Sequence, residues 1–321
     1  MRKPIIFGNL KVHYIKTRLL SHTDNREGLQ MLLSWMLALL IYTQQENVQD
    51  NLIITNKGDE MYVVNRSNFS MQFPILPFID TKKVKDFMDE IDEQVSKKPK
   101  NASLDAYGNI TSEQVGYRLN RRVFTEEMLS YFFNKGTSTI ELPIVANYPR
   151  VDSELLGNIK GEKIGEYITF YNPYNKQRKN NIDLAAKAIN NYVLFPGEVF
   201  SFNKVVGERT VDRGYMPSTA IVNGEYSEEF GGGICQVSST LFNAVDSAGL
   251  NIVKRFTHSK GVAYVPVNRD ATVSWDGPDF VFKNDYNQPI LILAKAVNNH
   301  VKVEIYSSDV ITYTPKKIPY L

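Results

Sequence analysis

The sequence predicts an α+β protein: a small α+β module followed by a mixed α+β domain in which a Gly-rich loop feeds a helix carrying a single cysteine. Three observations predict it. Apolar residues recur at three- and four-residue spacing in separate blocks, among them Val84, Phe87, Met88, Ile91 and Val95, then Leu184, Ala185, Ala188, Ile189 and Tyr192. Between and after these blocks lie short runs rich in β-branched and aromatic residues, such as Ile290–Val297 and Val301–Tyr306. Turn signals such as Asn56-Lys57-Gly58-Asp59 and Asn172-Pro173-Tyr174-Asn175 separate the runs.

With 321 residues, 43% of them hydrophobic and 22% charged, the chain has material for about two globular domains. A net charge of +2 and the lack of a basic stripe interleaved with aromatics exclude a dedicated nucleic-acid binder. One cysteine excludes an internal disulfide and a thiol-rich metal site.

Residues 1–28 carry Arg2, Lys3, Lys11, Lys16, Arg18 and Arg26 against Asp24 and Glu27, and read as a cytoplasmic basic segment. Residues 29–43 follow as an apolar stretch, Leu29 to Tyr42 before the chain turns polar. That is short of the roughly 20 residues of a bilayer span, and fits a membrane anchor or a signal-peptide h-region. No small-x-small cleavage site comes after it, which favours an uncleaved anchor with the rest of the chain outside the cytoplasm. An apolar core helix is the alternative.

Residues 44–150 read as the small α+β module. Asn51–Thr55 and Glu60–Asn65 form a hairpin, a helix runs through Val84–Val95, short strands lie near 102–107 and 137–145, and a second helix surrounds Glu126–Phe133. Residues 151–164 read as a linker and 165–321 as the second domain. There, Glu166–Tyr171 reads as a strand. A helix entered through Asn180 and Asn181 is closed by Leu194–Glu198. Strands are expected at Val253–Phe256, Ala271–Trp275, Phe280–Lys283, Ile290–Val297 and Val301–Tyr306, the last two joined tightly through Asn298-Asn299-His300.

The second domain is organised around Gly231–Ala244. Ile234, Val237, Leu241, Ala244, Val245 and Ala248 mark a helix that Gly249 ends as a left-handed residue. Cys235 falls in its first turn, behind Gly231, Gly232 and Gly233. Unpaired N–H groups and the helix dipole there favour a thiolate. A small side chain packed beside Ile234 is the bland alternative.

From about Gly165 to Leu293 the chain resembles the VanW family. The blocks that carry the resemblance are Tyr171-Asn172-Pro173 with Arg178, Asn181–Ala186, Phe195–Asn203, Gly231–Asn243, His258-Ser259, Tyr264-Val265-Pro266, Arg269–Val273 and Phe282-Lys283-Asn284. Residues near 51–145 look more loosely like the peptidoglycan-binding module that often precedes a VanW domain. The resemblance implies a cell-wall enzyme of the L,D-transpeptidase type, with a cysteine nucleophile, peptidoglycan stem peptides as substrate, and no metal or organic cofactor.

Acyl transfer needs a nucleophile, a base and a place for the oxyanion. Cys235 is the candidate nucleophile. Of four histidines, His13 and His22 precede the apolar stretch and His300 sits in a turn, which leaves His258 as base. Asp270 leads the candidates to orient its imidazole, ahead of Ser259 and Tyr264. The N–H groups of Gly232, Gly233 and Cys235 are candidate oxyanion donors, and Gln236, Ser238, Glu198 and Arg213 candidate pocket residues. A non-catalytic stem-peptide binder and an L,D-carboxypeptidase remain open beside the transpeptidase.

Overall fold

The computed structural model describes residues 50–71, 78–134, 136–222 and 225–320, with four further positions between residues 30 and 36. The basic segment and nearly all of the expected anchor lie outside the described residues. Among those described, no helix is long and apolar enough to cross a membrane.

The chain divides into two compact units. The first holds the described residues up to Val95 together with Leu119–Val145. Its hairpin pairs β1 (Asn51–Asn56) with β2 (Asp59–Asn65). Lys57 and Gly58 between them both take positive φ, 54° and 85°, which suits the right-handed twist of a tight hairpin. β3 (Ser138–Glu141) joins β1 in parallel. Leu52 and Ile54 of β1 share a core with Val84 and Ile91 of helix α1 (Thr81–Val95) and Phe124 and Met128 of α2 (Arg121–Phe133).

The second unit comprises Ser96–Arg118 and the chain from Ala146 onward. Residues 96–118 thus cluster with the second unit and not with the hairpin module. The side chain of Asn191 ties them in, accepting from Leu104 N at 2.8 Å and donating to Leu104 O at 3.0 Å. The expected linker 151–164 carries helix α3 (Ser153–Ile159), capped by Asp152, and the first residues of strand β4 (Glu162–Phe170).

Helix α4 (Lys176–Ile189) begins earlier than its apolar pattern suggests. Asn175 caps it by accepting from Arg178 N, so Asn180 and Asn181 are interior residues and not the entry. Asn181 is fully buried and ties α4 to two distant stretches of backbone. Its Nδ2 donates to Met216 O (2.8 Å) and Gly232 O (3.1 Å), and its Oδ1 accepts from Met216 N (2.9 Å).

After α4 come β5 (Tyr192–Leu194), β6 (Val199–Ser201), the short helix α5 (Phe202–Val206) and a hairpin of β7 (Pro217–Val222) with β8 (Glu225–Phe230). That hairpin delivers the chain to helix α6 (Ile234–Ser247), which Gly249 ends at φ 75°. β9 (Asn251–Lys254), β10 (Val281–Lys283), β11 (Ile290–Val297) and β12 (His300–Ser307) complete the unit. Residues 271–275 form no strand; hydrogen bonds to α6 and to Phe256 hold them instead.

One sheet runs β4-β12-β11-β5 and a smaller one β6-β10-β9. α6 is the centre of the core, with Ile234 and every residue from Gln236 to Val245 buried. Its apolar residues join Ile182, Phe200, Phe282, Ile292 and Val303 in one cluster. Gly165 lets α6 approach β4: a Cβ there would lie 2.5 Å from Ala244 O.

Candidate active site

Cys235 is the second residue of α6, and the backbone before it is shaped by glycine. Gly233, the cap residue, has φ 111°, a conformation an L side chain rarely adopts. Gly232 is required by proximity, since a Cβ on it would stand 2.4 Å from Ser218 O. No side chain caps the helix, so its N-terminal partial charge stays available at Cys235.

Three expected residues come together. Cys235 is partly buried, and its sulfur lies 3.4 Å from Val273 O, 3.5 Å from Val273 N and 3.8 Å from Thr272 Oγ1. The His258 side chain faces the thiol, and its hydrogen-bonding and charge act on the sulfur. Its Nδ1 is 2.6 Å from Asp270 Oδ2, which leaves Nε2 for the sulfur. Asp270 Oδ2 also accepts the His258 backbone N–H at 2.6 Å. The imidazole and carboxylate side chains are only 5% and 9% exposed, so bulk water does little to weaken their contact.

The charges are set by this packing. Burial pushes the Cys235 thiol up, but the hydrogen bond and charge of His258, with help from Val273 and Thr272, outweigh it and hold the thiol below its ordinary value. Burial pushes His258 down, and Cys235 and Asp270 more than reverse that, leaving the imidazole above its ordinary value. The two shifts belong to one coupled pair, each group favouring the charged form of the other. Tyr264 stays protonated: burial and the neighbouring Cys235 push its phenol up, although it bonds Ser239.

Ser238 and Ser239 explain how a loop more than thirty residues away in sequence meets α6. Ser238 Oγ donates to Ala271 O, and Ser239 Oγ accepts from Ala271 N at 2.8 Å while donating to Cys235 O at 2.7 Å. Both backbone groups of the residue after Asp270 are thereby fixed to the helix that carries Cys235. Asn243 extends the seam, donating to Arg269 O at 2.8 Å and accepting from Arg269 Nε at 2.7 Å.

Several expected pocket residues serve the framework. Gln236 is buried, bonding Phe170 O, Thr169 Oγ1 and Arg178 Nη2 at 2.9, 3.1 and 3.0 Å. Ser238 is a fastener of the Asp270 loop. Arg213 caps the end of α5 through Val206 O and Glu208 O. Glu198 accepts from Phe195 N in its own turn and pairs with Arg150. Ser259 is exposed, with no hydrogen bond to the Cys235–His258–Asp270 group among the described residues. The Gly231 and Gly232 N–H groups already donate to Met216 O and Glu229 O at 3.3 Å each. Gly232 is therefore spoken for, and Gly233 and Cys235 remain as candidate oxyanion donors.

Sequence reading missed Thr272 and Val273 as contacts of the sulfur and Ser239 as a partner of the Cys235 carbonyl, and gave Arg209 and Arg178 no role. Tyr264 lines a cavity of about 240 Å3 with Tyr167, Ile168, Phe170, Ala263 and Tyr320.

The family described as VanW like protein matches residues 177–306, which contain all three residues of the group. The chain is 50% identical over 281 residues to the uncharacterized protein YoaR of Bacillus subtilis (strain 168), covering 88% of this chain and 93% of that one. It is 32% identical over 124 residues to the vancomycin B-type resistance protein VanW of Enterococcus faecalis (strain ATCC 700802 / V583), covering 35% of this chain and 42% of that one. No solved structure gives a significant match. With its cysteine helix inside the matched region and half of its aligned residues shared with a relative it spans almost end to end, the chain belongs to the VanW-like family.

Proposed function

We propose that the protein is a cysteine acyltransferase acting on peptidoglycan stem peptides as an L,D-transpeptidase. The observation that carries this is the Cys235–His258–Asp270 relay, in which a lowered thiol faces a raised imidazole oriented by a buried carboxylate. The Cys235 thiolate attacks the amide carbonyl carbon between the L-centre of the third residue and D-alanine. The oxyanion forms beside the Gly233 and Cys235 N–H groups. As the C–N bond breaks, His258 Nε2 gives its proton to the departing amine and a thioester remains. An amine of a second stem then attacks the thioester and loses a proton to His258, and the thiolate leaves with the new amide formed. Water as acceptor gives the carboxypeptidase outcome.

The wall as substrate is supported by the family resemblance and by a relative whose name ties it to vancomycin resistance. The same proposal gives the first unit a wall-binding role and puts the basic N-terminal segment in the cytoplasm, with the apolar stretch as anchor. Purified protein incubated with tetrapeptide-stem muropeptides, followed by mass spectrometry, tests it: cross-linked dimers and free D-alanine are expected. Unchanged muropeptides would leave a binding protein in its place.

A further inference from the structure

Two arginines bracket the glycine run before the nucleophile. The Arg209 stem packs on Gly231, where an added Cβ would meet its Cγ at 3.0 Å, and the Arg178 stem packs on Gly233 at the same distance. Both guanidinium groups feel the Cys235 charge. Neither forms an ion pair with a carboxylate among the described residues, whereas Arg150 and Arg269 hold Glu198 and Asp246. Arg178 donates one hydrogen bond to a neutral amide, Gln236 Oε1. Arg209 Nη2 donates to another, Asn203 Oδ1, at 2.7 Å, and its Nη1 is buried with no partner at all.

Partly buried cations without a contacting counter-ion are costly, and here burial pulls both arginines below their ordinary value despite the nearby sulfur and, for Arg209, the charge of Asp279. Cys235 does not answer the need, because any charge on its sulfur is already shared with His258. An external anion does. A guanidinium fork matches a carboxylate in two parallel hydrogen bonds. Covalent chemistry then fixes which carboxylate: in a peptide cleaved one residue from its end, the free α-carboxylate is three bonds from the attacked carbonyl carbon. It therefore lands beside the sulfur, next to the glycine run on which both arginine stems pack. An internal peptide bond would offer a neutral amide at that point.

From this geometry we infer that Arg178 and Arg209 form a carboxylate subsite next to Cys235, restricting the protein to peptides whose scissile bond is followed by one residue with a free C-terminus. The inference rests on the acyl-transfer proposal and adds its end-specificity.

Two probes test it without requiring turnover. Full-length wild type is alkylated with iodoacetate and iodoacetamide, and the rate ratio is compared with that of a free thiol under the same conditions. The carboxylate reagent should gain roughly tenfold or more, a gain that Arg209→Gln and Arg178→Gln remove and Arg209→Lys partly keeps. Separately, folded Cys235→Ala is titrated with Nα,Nε-diacetyl-L-lysyl-D-alanine and with its C-terminal amide. The acid should bind roughly tenfold tighter or better. An iodoacetate advantage no greater than that of a free thiol, or equal binding of acid and amide, overturns the subsite. Lack of turnover by wild type removes the acyl-transfer reading instead, and leaves both comparisons readable.

Discussion

Asp270 Oδ2 receives two N–H groups of His258, the backbone amide and the ring Nδ1, each at 2.6 Å. One carboxylate oxygen thus fixes both where the residue starts and which way its imidazole points. That selects the tautomer and presents Nε2 to Cys235. Asp270→Asn keeps the shape and loses the charge. The imidazole should fall toward its ordinary value, so the limb of the pH–rate profile that reports imidazolium moves to lower pH and the thiolate limb moves to higher pH. The working window narrows from both sides, and peak turnover falls by about 10²–10⁴-fold. A merely structural Asp270 would lower the rate without moving either limb.

The thiolate should show itself without any substrate. Because the thiol is lowered and the imidazole raised, the charged pair is favoured, and it is lost as pH falls through the thiol or rises through the imidazole. Rates of Cys235 alkylation by iodoacetamide should rise through an inflection below the roughly 8.5 of an unperturbed cysteine. In His258→Ala the inflection should move to or above that value, since burial is then opposed only by the weaker bonds from Val273 and Thr272. An inflection in wild type at or above that value contradicts the ion pair.

Ser239→Ala removes the bonds to Ala271 N and Cys235 O together. A buried N–H left without a partner costs about 1–3 kcal/mol, which urea denaturation would read directly. The loop bearing Asp270 should also loosen, so the loss of turnover should exceed that of Ser259→Ala, whose side chain is exposed. Equal effects of the two changes would show that the fastening is irrelevant to the site.

Gly165→Ala tests the packing that sets α6 against the sheet. The added methyl would sit 2.5 Å from Ala244 O and 2.9 Å from Ala248 Cβ, backbone and rigid side chain that cannot swing away. Overpacking of this kind typically costs about 1–3 kcal/mol. A thermal midpoint unchanged from wild type would mean that the helix rides farther from β4 than these distances require.

How much of this could be seen in the sequence depended on whether the signal was local. The periodicity of Ile234, Val237, Leu241 and Ala244 and the glycine after Ala248 marked α6 within a residue or two, because helical spacing and caps are local properties. The hairpin at Lys57-Gly58 was legible for the same reason. Asn175 was passed over as cap because its partner, Arg178 N, precedes the first strongly apolar turn. His258 was reachable by elimination, Asp270 by its place in the block Arg269–Val273. Ser238 and Ser239 could not be read correctly: Ser238 was expected in the pocket and Ser239 was given no role, and only the return of Ala271 to α6 gives them theirs. Arg209 carries no local mark either. Its significance lies in a missing partner, which no spacing reveals. The strand expected at 271–275 failed because α6 side chains hold that segment's backbone groups and leave no ladder to form.

The measurement closest to the central proposal is intact mass after incubation with a tetrapeptide stem, run on wild type, Cys235→Ala and His258→Ala. Wild type should gain the mass of the stem less D-alanine, on the peptide that contains Cys235, and release one D-alanine for each adduct formed. Cys235→Ala should stay folded, since losing one sulfur leaves at most a small cavity, and should gain nothing. His258→Ala should form the adduct more slowly and resolve it more slowly still, because proton delivery to the leaving amine and removal from the acceptor both lose their catalyst. A wild-type protein that never gains the acyl mass nor releases D-alanine, while Cys235→Ala binds wall fragments as well as wild type does, would contradict it.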